Sequence, residues 1–390
     1  MILLPLLFVG MQAQAQQRPI TVDQAVQMAL SNHPSIRAAK LQVKQSQALQ
    51  NLPYSPGMTD ISYQGNGLYR ENGQRVNQIG FVQNIPNPAV NKAHNALQDE
   101  VVKSNSLQKS LTEAELRLQV RQVYYGLQQK MELRALYQRL ARTYSSYFEI
   151  ARKRVEVGAA NAIETLTIQS AMNEYRLLER QVSMEISTLE QQLRVLLNTD
   201  ENVTATDSLQ MLPYTGLAGA NTLRVQLAQQ QMEVEQAIVP VIKSSLKPEF
   251  NFGYSAQSYF DGGWLYGAQA GVQVPLFNKP VKKRLEAQQL QVEVASARYE
   301  AERLNASQQL LSVDNSIRLY AEGVNYYREQ LESINPEIER ISQLNYQAGE
   351  LSYLELLNTL NLLASNNKSY WEQVLAHNQA VALYQFLSNQ

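Results

Sequence analysis

Two carboxylates placed alike after two glycines are the residues best positioned to do chemistry in this chain. Glu164 lies three residues after Asn161 and just past Gly158; Glu355 lies three after Ser352 and just past Gly349. A small polar residue followed three positions later by Glu is the pattern of a capping box, in which the cap side chain takes the N3 amide and the Glu reaches back. The preceding glycines suit the left-handed position that ends a helix. Arg152 and Arg154 stand close by, so the same carboxylates could instead form charged contacts at a constriction. Capping is weighed about two to one over that role. Glu350 has no acidic counterpart, because Ala159 occupies the matching place.

Other chemistry is poorly supported. His33, His94 and His377 are far apart, none has a His partner three or four residues away, and there is no Cys. Surface or helix-packing roles are expected for them, with no metal site and no cofactor. No nucleophile elbow, phosphate loop or zinc-helix motif occurs, so the chain is not expected to be an enzyme. A net charge of −1 suggests no nucleic-acid partner. Ile2 to Val9 is an apolar run and Ala13-Gln14-Ala15 fits a small-x-small cleavage pattern, so residues 1–15 read as an export signal. No Lys or Arg precedes that run, which fits a misplaced start or the C-terminal module of a longer membrane polypeptide. No other stretch holds 18 uncharged apolar residues, so the rest has no spanning helix.

Proline maps the elements that must position the paired carboxylates. None occurs between Pro88 and Pro213, and the window is rich in Leu, Gln, Glu, Arg and Ala. A helix from Ala89 to Val157 would run roughly 100 Å at about 1.5 Å per residue. Leu116, Val120, Val123 and Leu127 keep a 4-3-4 spacing. Later, Leu310, Val313, Ile317, Tyr320, Val324 and Tyr327 alternate steps of three and four. Leu331, Ile334, Ile338 and Ile341 carry the seam onward through Pro336, which is expected to kink the helix without ending it. Two segments break the pattern. Residues 60–83 and 250–274 are rich in Gly, Tyr and Phe with period-2 alternation, and each predicts a β-hairpin with arms of membrane-spanning length.

The chain repeats itself. Gly158 matches Gly349 and Glu164 matches Glu355 at one offset (349 − 158 = 191; 355 − 164 = 191). Before the hairpins the offset is 187, set by Ile36-Arg37 against Leu223-Arg224. Residues 16–197 form a first repeat, 198–220 a connecting segment and 221–390 a second repeat. The fold class is mainly α with a small β part, built from duplicated long antiparallel helical hairpins and four strands. Four strands cannot close a barrel and an open edge is not tolerated in lipid, so hairpins that enter a membrane require several chains.

The order of elements resembles the TolC family of outer-membrane efflux proteins over nearly the whole chain. The resemblance is carried by Ile20-Thr21-Val22-Asp23-Gln24-Ala25-Val26-Gln27-Met28-Ala29-Leu30 with Asn32-His33-Pro34, and by Val274-Pro275-Leu276-Phe277 before a long helix. The turn segments Arg154-Val155-Glu156-Val157-Gly158 and Asn345-Tyr346-Gln347-Ala348-Gly349 are similar to the family's helix tips. Membership would imply a homotrimer with a shared 12-stranded β-barrel in the outer membrane and a periplasmic α-barrel. The tips would meet a periplasmic membrane-fusion adaptor and an inner-membrane RND-type pump. Arg152, Arg154, Gly158, Asn161, Glu164, Gly349, Glu350, Ser352 and Glu355 would then be docking and gate residues. The segment Asn84-Ile85-Pro86-Asn87-Pro88 is most similar to members paired with heavy-metal pumps, some fused behind the pump. Tyr63, Tyr69, Phe81, Phe250, Phe252, Tyr254, Tyr259 and Trp264 would form aromatic girdles in contact with outer-membrane lipid, favoured about three to one over a soluble sheet covered by helices. The competing function is a soluble periplasmic coiled-coil adaptor or scaffold, which explains the helices but not two matched hairpins.

Overall fold

The computed structural model describes residues 18–66, 76–216, 221–258 and 263–389. The expected export signal, Tyr69 and Tyr259 lie outside the described residues. The elements are β1 (Arg18–Ile20), α1 (Val22–Asn32), α2 (Pro34–Ala48), β2 (Thr59–Asn66), β3 (Val76–Ile85), α3 (Pro88–Glu156), α4 (Ala162–Leu197), β4 (Val203–Ala205), α5 (Leu223–Ser244), β5 (Glu249–Ser258), β6 (Trp264–Gln273), α6 (Lys279–Glu329), a π-helical turn (Gln330–Ile334), α7 (Asn335–Ala348) and α8 (Tyr353–Ser388). They divide into two units. One comprises Met1–Arg37, Thr112–Thr222 and Ala306–Gln390, the other Ala38–Leu111 and Leu223–Asn305, and both α3 and α6 run through the division.

The first unit holds the apolar core. Leu116, Val120 and Leu127 of α3 are buried and Val123 packs against them, as their spacing requires. α1 starts at a full capping box: the Gln24 amide donates to Thr21 Oγ1 at 3.3 Å and the Thr21 amide to Gln24 Oε1 at 3.0 Å. It stops at Asn32 because His33 precedes a proline and is held extended.

The connecting segment, expected only as a polar joint, is firmly tied down. Its β4 pairs in parallel with β1, a strand pair too short to show a period in sequence. Gln128 donates to the Asp207 carbonyl at 2.7 Å, and Asn378 both accepts from the Leu212 amide at 2.9 Å and donates to the Gln210 carbonyl at 2.6 Å. The Tyr214 hydroxyl donates to the buried Asp314 carboxylate, which also accepts from Arg318 Nε at 3.0 Å.

The second helical seam holds only in part. Leu310, Val313, Ile317 and Val324 are buried, yet Ile334 and Ile341 are exposed and Asn335 and Tyr346 are buried in their place. The cause is the π-turn before Pro336. Pro336 has no N–H to give the preceding turn, and a wider turn absorbs the defect without ending the helix. The extra residue rotates everything after it, so the continuous pattern in sequence does not mark one continuous face.

In the second unit the hairpins join into one antiparallel sheet ordered β2-β3-β5-β6. Ile61 pairs with Phe81, Phe81 with Tyr254, and Tyr254 with Ala268; Phe250 pairs with Ile85 and Val272. Directly paired residues share a face, so one face carries Ile61, Tyr63, Phe81, Phe252, Tyr254 and Trp264, and the charged strand residues Asp60 and Glu249 lie on the other. The opposite face holds Ser62, Gln78, Asn251, Ser255 and Gln269, with glycines at 80, 253, 267 and 271. The apolar face is uncovered: Ile61, Tyr63, Phe81, Phe250, Phe252, Tyr254 and Trp264 are all exposed.

Glycine on the polar face makes room for amide side chains. A Cβ at Gly253 would stand 2.9 Å from the Phe81 carbonyl oxygen and 2.8 Å from Gln269 Cγ. Because the first of these is backbone, Gly253→Val should destabilise the sheet by roughly 1–3 kcal/mol. A thermal melt of the purified variant against the parent measures this, and an unchanged midpoint would contradict the contact.

Candidate functional site at the paired helical turns

Both turns are built the same way. α3 ends with Gly158 at φ +73°, whose amide donates to Val155 O at 3.0 Å while the Ala159 amide donates to Arg154 O at 2.8 Å. α7 ends with Gly349 at φ +80°, whose amide donates to Tyr346 O at 3.2 Å while the Glu350 amide donates to Asn345 O at 2.9 Å. Each is a Schellman ending, and every donor and acceptor in one is matched in the other at the 191-residue offset. A side chain at either glycine would be strained in this backbone region.

The helices that follow begin differently. Ser352 and Glu355 close the expected capping box: the Glu355 amide donates to Ser352 Oγ at 3.3 Å, and the Ser352 amide to Glu355 Oε2 at 3.0 Å. Hydrogen bonds from the Ser352 hydroxyl and then its backbone hold the Glu355 carboxyl below the usual carboxylate range. At the first turn the box is absent. Asn161 caps through the Ile163 amide at 3.2 Å, and Glu164 turns inward to 6% exposure.

Glu164 is captured by a residue the sequence did not single out. The buried Tyr346 hydroxyl donates to Glu164 Oε1 at 2.5 Å. Arg154 Nη1 lies 3.9 Å from the same oxygen and donates to the Tyr346 carbonyl at 3.1 Å, with its guanidinium 5.0 Å from the Tyr346 ring centroid. Tyr147 meets that ring edge-on at 5.5 Å. A carboxylate removed from water is held best by a charge-assisted donor and a nearby cation, which outweighs what a surface cap would return. The second turn has no such lock: position 155, the counterpart of Tyr346, is Val. The only available signal was this mismatch inside an otherwise regular repeat.

Glu164 is therefore neither an N3 capping residue nor a solvent-facing ring carboxylate in this conformation. Arg152 does not reach it either. That exposed side chain pairs within its own helix, with Glu149 at 2.9 Å and Glu156 at 3.7 Å, contacts worth little in water. Glu350 lies exposed beside Gly349. The structure thus brings Arg154, Glu164 and Tyr346 together, while Arg152, Glu350, Ser352 and Glu355 remain on the turn surfaces.

The histidines form no centre. His33 Nδ1 lies 2.7 Å from the Ser35 hydroxyl, and His377 is fully buried, with burial lowering its pKa and keeping it neutral. Among the described residues no three His, Cys, Asp or Glu side chains converge to hold a metal.

Burial, and then the hydrogen bond to Glu164, raises the Tyr346 pKa above its ordinary 10.0. A raised folded-state pKa gives stability that is present below the ordinary value and lost as pH climbs above it. Tyr346→Phe should cost about 1–3 kcal/mol by stripping the buried carboxylate of its donor. It should also remove the parent's extra loss of stability above pH 10.0. Melting curves across that range test both. Ser352→Ala should cost about 1 kcal/mol with no such pH signature.

No family model matches the chain, and no curated protein matches it. Solved structures do. CusC, described as undergoing conformational changes on folding and transmembrane channel formation, aligns with a TM-score of 0.81 at 16% identity, covering 94% of this chain and 92% of its own. A membrane protein from Pseudomonas aeruginosa aligns at 0.80 and 16%, covering 94% and 90%. The outer-membrane channel OprN aligns at 0.80 and 13%, covering 95% and 90%. Likeness at such low identity over nearly full length is likeness of architecture: the chain has the fold of outer-membrane channel proteins of the TolC type.

Proposed function

We propose that this chain is one subunit of a homotrimeric export conduit, set in the outer membrane with a long periplasmic extension, and that it performs no catalysis of its own. The observation that carries this reading is the open sheet. One face has no charged residue and exposes ten large apolar side chains, the other carries mainly amides, hydroxyls and glycine together with Asp60, Glu249, Val82 and Leu265, and among the described strands β2 and β6 leave two edges unpaired. An apolar exterior, a polar interior and strands of eight to ten residues are what a transmembrane barrel needs. Three copies supply twelve strands, and each free edge then finds a partner. The aromatic residues sit at the hydrocarbon boundary, where amphipathic rings are favoured.

The helical turns are the end that meets the rest of an export machine: a periplasmic adaptor and, through it, an inner-membrane pump of the RND type. Arg152, Glu350, Ser352 and Glu355 offer surface contacts for docking. The Arg154–Glu164–Tyr346 lock holds the two helical hairpins in their packed state. Opening is a switch between packed states in which that lock is released, with no covalent step. Heavy-metal cations are the cargo class suggested by the resemblance at residues 84–88, and they would pass through without a resident site.

Purified protein should run in detergent at three times the 44.1 kDa chain mass and give discrete conductance in planar bilayers. Monomer that washes from membranes with salt, without conductance, would overturn the proposal in favour of a soluble scaffold. Tyr346→Phe should raise the open fraction or conductance of the channel, since it weakens the closed packing alone; unchanged conductance would remove the lock from the gate. Cargo is tested by deleting the gene and comparing sensitivity to copper, zinc, dyes and antibiotics.

A further inference from the structure

The first turn of α6 breaks a local rule. Lys279, Lys282 and Lys283 share one face there, with Arg284 beside them, and all four are exposed. Partial positive charge at a helix N-terminus disfavours cations, and no acidic residue stands in this first turn. Lys279 also sits three residues before Lys282 and four before Lys283, so like charges are neighbours. One acidic side chain answers them: Glu286 accepts from Lys283 Nζ at 2.6 Å. Among the described residues no ion pair forms with Lys279, Lys282 or Arg284.

The other copy of the repeat needs none of this. At the same offset it has Pro88, Asn91, Lys92 and Ala93, a single cation in place of four. The cluster is therefore not required to build the helix start, and it costs the helix something to keep. Immediately before it, Leu276 is 80% and Phe277 90% exposed, and they follow directly on the uncovered apolar face through Val272 and Val274. Apolar strand, exposed aromatic, then clustered lysines is the order met on leaving a bilayer: hydrocarbon, boundary, headgroups.

We infer that residues 276–284 form an interfacial anchor, in which Leu276 and Phe277 enter the periplasm-facing membrane surface and Lys279, Lys282, Lys283 and Arg284 bind the anionic headgroups of phospholipids. This rests on the outer-membrane conduit reading and adds to it a lipid preference. The headgroup phosphates supply the negative charge that the helix start lacks. Clustered like charge is tolerated because the partner is itself a sheet of opposite charge, and a bilayer also accepts the adjoining apolar pair, which a soluble anion cannot.

The test compares the full chain with a Lys279→Gln, Lys282→Gln, Lys283→Gln variant. Both are reconstituted into vesicles of phosphatidylethanolamine with phosphatidylglycerol, extracted in mild detergent, and their retained lipid is quantified. The parent should retain phosphatidylglycerol over phosphatidylethanolamine by at least about fivefold, the factor that one lysine at an anionic surface is worth. The variant should lose that preference while remaining resistant to carbonate extraction. Its thermal stability in detergent should be equal or higher, because cations have been removed from a helix N-terminus. Equal retention of both lipids by the parent, or an unchanged preference in the variant, would overturn the anchor and leave the conduit standing. Equally tight capture of soluble polyphosphate would also overturn it, by assigning the cluster to a soluble anion. Release of the parent itself by carbonate would sink the conduit reading and the anchor together.

Discussion

Backbone hydrogen bonding along the outer edges of β2 and β6 constrains the protein more than any side-chain contact. Within the sheet every ladder is regular, but the two outermost strands leave rows of N–H and C=O groups without partners. In water such edges invite aggregation, and in lipid each unsatisfied group costs several kcal/mol, on the order of 2–7 by transfer measurements. Combined with a face that is apolar and uncharged, these edges are the feature that the proposed multi-chain barrel would pair. The sparse burial in that unit agrees: its buried residues are few and mostly small or polar, such as Ser46, Ala93, Gln230 and Ala295, while Leu41, Leu290 and Leu304 lie exposed.

The duplicated halves show how one design is specialised without being redrawn. Both turns keep the same Schellman hydrogen bonds to within a few tenths of an ångström. Around that shared frame the copies part. Val155 and Tyr346 are counterparts, and that exchange sends Glu164 into the interior while Glu355 stays at the surface as a cap. α3 is a single helix of 69 residues, whereas its counterpart is divided by a π-turn before Pro336. Glycine and the cap are indifferent to what surrounds them, so they persist; a buried carboxylate is not, and one aromatic hydroxyl decides where it goes.

Polar groups inside the first unit follow the same economy. The connecting segment between the repeats buries Val203, Ala205 and Leu209 in the core, and its irregular backbone is held by side chains that reach it: Gln128, Asn378 and Tyr384, with Tyr214 bound to Asp314. These bonds satisfy the carbonyls and amides of an irregular segment that regular structure would otherwise supply. Burial and the Asp314 hydrogen bond raise the Tyr214 pKa, so this tie keeps its proton throughout the physiological range.

Periodicity and punctuation carried most of the architecture in the sequence itself. The helix expected from Ala89 to Val157 is α3, within one residue at each end, and both hairpins appear with their arms close to the expected limits. Local rules determined these features, since a helix needs only its own N–H groups and a strand its alternation. The Ser352–Glu355 box was legible for the same reason. What needed tertiary structure were the outcomes set by partners distant in sequence. Glu164 left its cap for a tyrosine 182 residues away, and β1 found β4 although neither is long enough to show a period. Ile334 and Ile341 lost their burial to an extra residue in a π-turn. Spacing specifies which residues can lie on one face; only the fold specifies what faces them, and a buried charge follows its partner instead of its position in the chain.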